Sequence, residues 1–312
     1  MAQLIDASSG HHVWAERYDE EGGDISALQD GVIQKITVSV GGMYGQIRAA
    51  TSGEAWRKAS LQEYDYFLRI HGLILRGPKA DLAKAREVAL DGLKQFPDSA
   101  LLRIKLGWTY MQDADRGYSD DPQADLKRAF DLASEGMAAH DLPPLARMHG
   151  HWLMSLASLY QRDFGRALAE RRAALSAAPS EPVVLIDLAR VLVFTGRAAE
   201  AVAELEEAFK QAPQVSPFIR AHLGLAYYCA GQYQKALDRL SGLPAPTFKA
   251  VLFKAASLAA LGQWEEARAA TAELITKSPG TTTVTLRPML PFQDAAAQEG
   301  MLANLHRSGL PE

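Results

Sequence analysis

Two short stretches, Gly231-Gln-Tyr-Gln-Lys-Ala236 and Gly262-Gln-Trp-Glu-Glu-Ala267, decide the fold of this 312-residue chain. Each has a glycine, an aromatic residue two positions later and an alanine three positions after that. Glycine allows the positive φ that a tight turn between helices requires, and alanine lets two helices approach closely. The pattern therefore predicts a turn that leads into a helix packed closely on the helix before it.

Prolines recur at intervals that connect the two stretches. Pro179 and Pro213 are 34 residues apart, and Pro213 and Pro279 are 66 apart, which is close to two such periods. Pro97 and Pro179 are 82 residues apart, which is two periods with an insertion. A period of 34 residues is typical of tetratricopeptide repeats, in which each repeat is a helix–turn–helix.

The period predicts an all-α, right-handed tetratricopeptide superhelical solenoid of about six helix pairs over residues 60–291. About ten additional residues between Met111 and Gln123 interrupt the second repeat, and the second helix of the fifth repeat ends near Leu240. Residues 292–312 are predicted to contain a capping helix, because the last repeat of a solenoid would otherwise expose its apolar face.

The first 50 residues differ from the rest. Residues 2–6 and 12–18 alternate in polarity around turn residues, which predicts a β-hairpin. Asp24 is placed to cap a helix over Ile25–Val40. We therefore expect a small α+β unit in residues 1–50. Because an isolated hairpin is marginally stable in water, we expect it to form a homodimer or to pack on its own helix and the first repeat.

The N-terminal unit also resembles a known domain. Residues 2–6, 10–19 and 24–30 are similar to the end of a TolB-like domain, which precedes tetratricopeptide repeats in bacterial proteins of the adenylate/guanylate cyclase type. The ending, residues 302–311, is similar to the end of those chains. The resemblance implies that this chain is the C-terminal region of such a protein, or a shortened relative, without the cyclase catalytic domain.

Composition excludes several classes of protein. The chain has 33 basic and 37 acidic residues and a net charge of −4, so nucleic-acid binding is not predicted. No apolar stretch reaches about 18 residues, so no membrane span is predicted. Cys229 is the only cysteine, which excludes an intrachain disulfide. We expect a cytoplasmic protein, or a periplasmic one if a longer parent chain has a membrane span upstream.

The sequence contains no motif typical of an enzyme, and neither a cofactor nor a catalytic residue is predicted. His149 and His151 are two residues apart, a spacing that points their rings in different directions on a helix. His11 and His12 lie at a hairpin turn. The acidic stretch 113–122 lacks the Gly and Glu positions of a calcium loop, so it is interpreted as a solvated insertion.

We therefore predict a non-catalytic scaffold that binds a protein or peptide in the concave groove lined by the first helix of each pair. The alternative is a regulatory or dimerisation module that acts on a nucleotide cyclase or another signalling domain of the same chain. Lys105 and Arg190 are candidates to pair with a peptide carboxylate, whereas Trp108 and Trp152 could instead pack between helices. The predicted groove residues are Arg69, Lys105, Trp108, Trp152, Asp187, Arg190, His222 and Tyr228.

Overall fold

The computed structural model describes residues 2–5, 12–16 and 63–312, apart from residues 141, 143, 178–181, 212–216 and 244–245. Strands β1 (Ala2–Ile5) and β2 (His12–Glu16) form an antiparallel hairpin in which Leu4 lies opposite Trp14. The predicted helix over residues 25–40 lies outside the described residues.

Six helix pairs follow within the described part of the chain, as the period predicts. The first helix of each pair contacts the second, and it also contacts the first helix of the next pair. The pairs are α1 (Glu63–Arg76) with α2 (Lys79–Gln95), α3 (Ala100–Arg116) with α4 (Pro122–Met137), α5 (Pro144–Tyr160) with α6 (Phe164–Ala177), α7 (Pro182–Phe194) with α8 (Ala198–Gln211), α9 (Pro217–Cys229) with α10 (Tyr233–Leu240), and α11 (Phe248–Ala260) with α12 (Trp264–Lys277).

Helix ends are set by residues that can satisfy free backbone groups. The side chains of Ser99, Asp121 and Thr247 accept hydrogen bonds from the first turns of α3, α4 and α11.

Close packing within a pair depends on small residues. A Cβ atom at Gly107 in α3 would lie 3.0 Å from the carbonyl oxygen of Ala129 in α4. The two helices can therefore approach so closely only because position 107 is glycine.

The acidic insertion differs from its prediction as a solvated loop. Helix α3 continues through Asp113 and Asp115 to Arg116, and Gly117 ends it with a φ of 73°. The side chain of Asp115 is fully buried. Only residues 117–121 form a connecting loop before α4 begins at Pro122. The extra residues thus lengthen a helix of the solenoid and place one carboxylate in its interior.

After the last pair, the chain turns back towards the middle of the solenoid. A short helix, α13 (Thr283–Leu286), and a 3₁₀ turn (Arg287–Met289) lead to helix α14 (Ala295–Arg307), which packs on α11. We call residues 286–293 the closing segment. Leu286, Leu290 and Phe292 are its buried apolar residues. The backbone N–H of Gln293 donates a 2.8 Å hydrogen bond to the carbonyl of Phe194, at the end of α7.

Candidate functional site

A row of polar and aromatic side chains runs along the concave side of the solenoid, and each first helix contributes to it. Within α1, α3, α5 and α7 the contributing residues are three or four positions apart, so they lie on the same face of their helix. The row consists of Phe67, His71, Lys105, Trp108, His149, Trp152, Asp187, Arg190, His222 and Lys249. We call it the concave row.

The N-terminal half of the concave row is largely aromatic. The Nζ atom of Lys105 lies 3.1 Å from Nδ1 of His71 and 4.7 Å from the centre of the Phe67 ring. The indole rings of Trp108 and Trp152 meet edge to face at 4.9 Å. Such contacts between rings and a cation stabilise a close-packed interior. This half of the row therefore joins the first three helix pairs into one core.

The C-terminal half is a buried charge cluster. Oδ1 of Asp115 accepts hydrogen bonds from Nζ of Lys249 at 2.6 Å and from Nη1 of Arg190 at 3.1 Å. The phenol of Tyr160 donates a further hydrogen bond to the same oxygen. Asp187 accepts a 2.8 Å hydrogen bond from the indole of Trp152 and is also paired with Arg190. Two carboxylates thus face two cations, so the cluster is balanced in charge.

Contacts among these groups set their protonation. Burial alone would raise the pKa of the Asp115 carboxyl, but the charges of Lys249 and Arg190 outweigh burial and hold that pKa well below its usual range. Burial and the adjacent Asp115 raise the pKa of Tyr160 well above its ordinary value. Asp115 is therefore a carboxylate and Tyr160 a neutral hydrogen-bond donor at physiological pH.

His222 is the neutral member of the cluster. Its Nε2 atom lies 3.4 Å from Oδ1 of Asp187. Burial lowers the pKa of His222 to about 4; Asp187 opposes this effect and Arg190 reinforces it. A neutral imidazole therefore occupies the cluster at physiological pH.

Oδ2 of Asp115 and Nε of Arg190 are among the buried atoms of the cluster that lack a hydrogen-bond partner in the described part of the chain. Arg190 also lines a cavity of about 20 Å³, together with Phe194, His222 and Leu290. A space of this size holds about one water molecule. The concave side is therefore nearly filled at this point, partly by the closing segment.

A larger cleft of about 350 Å³ lies between the second helix pair and the C-terminal part of the solenoid. Its walls come from the loop after α3, from Tyr160 and Phe248, and from residues 278–289. The hydrogen bond between Lys249 and Asp115 bridges the same junction, although these residues are 134 positions apart in the chain. The first helices of the second and sixth pairs thus face each other across a narrow concave side.

The structure brings six of the eight predicted groove residues into the concave row: Lys105, Trp108, Trp152, Asp187, Arg190 and His222. All six are buried and packed among residues of this chain, and their contact with a partner stays a prediction. Arg69 and Tyr228 are half-buried and lie elsewhere: Arg69 stacks over Tyr66, and Tyr228 packs near Tyr233 and Phe253.

Sequence reasoning placed the first helices correctly but missed other members of the cluster. The sequence pattern places Asp115 in the insertion and does not single out Tyr160 or Lys249. The signal for Asp115 was its position seven residues after Trp108, which is two helical turns away on the same face of a continuous α3. Arg190 was expected to pair with a peptide carboxylate, but Asp115 and Asp187 of this chain already occupy its guanidinium.

The other candidate sites are also separated in space. His149 faces Lys105, whereas Nδ1 of His151 lies 2.7 Å from a carboxylate oxygen of Glu170. Within the described ranges, no three His, Cys, Asp or Glu side chains are grouped as metal ligands. Cys229 is half-buried, and burial raises the pKa of its thiol. His11 and the side chain of His12 lie outside the described residues.

Comparison with known proteins supports the repeat assignment. Residues 158–218 and residues 250–281 each match a sequence model described as a tetratricopeptide repeat. Over 171 residues the chain is 28% identical to "Putative adenylate cyclase 3" of Rhizobium meliloti (strain 1021). That alignment covers 53% of this chain and 27% of the relative, so the chain spans about a quarter of that protein's length.

A solved structure agrees with the fold. A tetratricopeptide repeat protein from Parabacteroides merdae ATCC 43184 superposes with a TM-score of 0.51 at 11% identity, covering 90% of this chain and 94% of that chain. Pseudomonas aeruginosa PilF gives a TM-score of 0.46 at 15% identity, covering 76% of this chain and 97% of that chain. The fold of this chain is that of a tetratricopeptide-repeat solenoid. None of its described helices has the length and apolar character needed to cross a bilayer.

Proposed function

We propose that this tetratricopeptide-repeat solenoid is a non-catalytic scaffold that binds a protein or peptide partner on its concave side. The observation that supports the proposal is the 350 Å³ cleft, which lies beside the concave row and between the second and sixth helix pairs. Aromatic residues and arginine are the residue types that carry most of the binding energy at protein interfaces. The walls of the cleft include Arg116, Tyr160 and Phe248.

A selection from a displayed peptide library on the immobilised chain tests this proposal. We expect enriched peptides whose binding weakens about tenfold or more in Phe248→Ala, because Phe248 is half-buried at the cleft. Glu265→Ala is the matched control, since Glu265 is exposed on a second helix and faces away from the concave side. Enrichment of no peptide, or loss of binding in the Glu265 control alone, would refute the proposal.

A second candidate function is regulation of another domain in the same polypeptide. It is favoured by the similarity to "Putative adenylate cyclase 3", because the aligned region is only 27% of that protein. In this case the partner would be a signalling domain joined to the solenoid. Joining this chain to the remainder of the relative, and comparing cyclase activity with and without Phe248→Ala, tests it. Unchanged activity would refute regulation through the concave side.

A further inference from the structure

Arg162 has a backbone conformation that its residue type does not favour. Its φ is 63°, and it is the one described residue other than glycine with a positive φ. It occupies the turn between α5 and α6, and the equivalent turns of the next three pairs have Gly196, Gly231 and Gly262, with φ values of 80°, 72° and 76°. A left-handed conformation costs a residue with a Cβ atom about 1 kcal/mol. We therefore expect the side chain of Arg162 to make contacts that offset this conformational cost.

That side chain holds the C-terminal part of the chain. Nη1 of Arg162 donates a 3.0 Å hydrogen bond to the carbonyl of Phe292, and Nη2 donates a 3.1 Å hydrogen bond to Oε1 of Gln298. Gln298 in turn donates from Nε2 to the carbonyls of Arg287 and Leu290, at 2.7 Å and 2.6 Å. The turn of the third helix pair thus fixes the backbone of the closing segment at both of its ends.

After its 3₁₀ turn, the closing segment continues over residues 290–292 without helical structure and lies on the concave side. Leu290 and Phe292 are 2% and 5% exposed. The ring of Phe292 meets Phe194 edge to face at 4.9 Å. Leu290 covers a cavity whose other walls come from α7, α9 and α11, including Arg190 and Leu225. An aliphatic residue and an aromatic residue two positions later therefore anchor the segment.

We propose that the closing segment occupies the partner-binding surface in cis, and that the partner is an extended peptide with the same aliphatic-x-aromatic anchors, which displaces it. This inference rests on the proposed function, because it concerns the same concave surface. The surface accepts these anchors from the chain itself, so a peptide of the same chemistry fits the contacts made by Phe194 and Arg162. Because the segment is tethered, its effective concentration is on the order of millimolar, and a free peptide must compete with it.

A trans-binding experiment tests the proposal. The probe is a fluorescein-labelled synthetic peptide of residues 285–294, and binding to the full chain is measured by fluorescence anisotropy. The variant Leu290→Ser with Phe292→Ser removes the anchors in cis and leaves the surface intact. We expect this variant to bind the probe about tenfold or more tightly than the unaltered chain does. A control peptide with the same two serine substitutions should bind neither chain.

Arg162→Gly provides an independent variant. Glycine suits the positive φ, so the turn is retained while both hydrogen bonds to the C-terminal part are lost. The bond to the Phe292 carbonyl is lost to the closing segment and to the probe alike, whereas the bond to Gln298, which lies outside the probe, is lost only in cis. Probe affinity should therefore rise, by less than in the serine variant, and the helical circular dichroism should remain that of the parent. Equal probe affinity of both variants and the parent, or no probe binding to either variant, would overturn the inference. If library peptides still bind the concave side in that case, the proposed function survives and only cis-occupation is refuted.

Discussion

Asp115 connects parts of the solenoid that are distant along the chain. Its carboxylate accepts hydrogen bonds from three first helices: from Tyr160 in α5, Arg190 in α7 and Lys249 in α11. A buried carboxylate is stable only when opposite charges and hydrogen-bond donors surround it. The low exposure of Asp115 therefore makes it the residue on which the charge balance of the cluster depends.

Replacing Asp115 should cost more than replacing Lys249. In Asp115→Ala, the buried Arg190 and the half-buried Lys249 keep Asp187 as their remaining carboxylate in the cluster, and we expect a loss of about 3–5 kcal/mol in the free energy of unfolding. In Lys249→Met, Asp115 keeps Arg190 and Tyr160, and the expected loss is about 1 kcal/mol. Urea denaturation measures both, and equal losses would contradict the assignment of Asp115 as the central group.

His222 predicts a pH dependence of stability. Its pKa is about 4 in the folded chain, below its ordinary value of 6.5, so the unfolded chain takes up a proton first as the pH falls. The free energy of unfolding should therefore drop by about 3 kcal/mol between about pH 6.5 and pH 4. The Asp115 contribution is lost only below about pH 4, so it does not overlap with this range. In His222→Gln this slope should be absent from urea denaturation series; a variant with the parental slope would contradict a buried neutral imidazole.

At the scale of elements, helix pairing depends on where small residues lie. Ala201, Ala236 and Ala267, which the repeat pattern singled out, are fully buried in the second helices of their pairs. Gly107 allows α3 and α4 to touch, whereas Gly300 in α14 is exposed and has nothing near the position of a Cβ atom. A side chain would therefore clash at position 107 and would fit without contact at position 300.

Alanine substitutions at these two glycines should change stability in opposite directions. Gly107→Ala places a methyl group 2.8 Å from Leu153 and 3.0 Å from the carbonyl of Ala129, so we expect a loss of about 1–3 kcal/mol. Gly300→Ala removes backbone freedom from the unfolded chain without a clash, so we expect a gain of about 0.5–1 kcal/mol. Thermal unfolding by circular dichroism measures both changes, and a shift of the same sign in the two variants would contradict the packing of α3 against α4.

The sequence predicts the helix pairs better than it predicts the contacts between pairs that are distant in the chain. The 34-residue period and the Gly–aromatic–Ala pattern depend on local packing, so they locate the helix pairs and the short α10. The burial of Arg190 depends on the superhelix being narrow enough for Lys249 to reach Asp115, 134 residues earlier. Small rotations between successive pairs accumulate to set that distance, and no single residue encodes them. The role of Arg162 is likewise visible only when its partner Phe292 is placed beside it.

At the scale of the whole molecule, this solenoid is not purely one-dimensional. In an open solenoid each repeat contacts only its neighbours, and stability is a sum of local terms. Here the Lys249–Asp115 ion pair joins the sixth pair to the second, and Arg162 joins the third pair to the C-terminal part. These contacts couple the free energies of unfolding of distant helices.

Unfolding should therefore be cooperative along the array. In hydrogen exchange measured over a series of urea concentrations, amides of α3 and α11 should lose protection at the same concentration in the parent chain. In the double variant Asp115→Ala with Arg162→Gly, α11 to α14 should open at lower urea than α3. Lys84→Ala is the control, because its ion pair with Glu87 is exposed. Separate unfolding transitions of α3 and α11 in the parent chain would show that the contacts between distant helix pairs do not couple their unfolding.

The same closure limits how this array can evolve in length. Repeat arrays commonly lengthen or shorten by duplication or loss of whole units, because each added unit finds the same neighbours. One additional 34-residue unit between α3 and α11 would rotate and translate the last pair, so Lys249 would no longer face Asp115 and Gln293 would no longer reach Phe194. The Lys249–Asp115 ion pair therefore restricts the number of repeats between the second and sixth pairs. Only arrays with the present number keep both charges compensated.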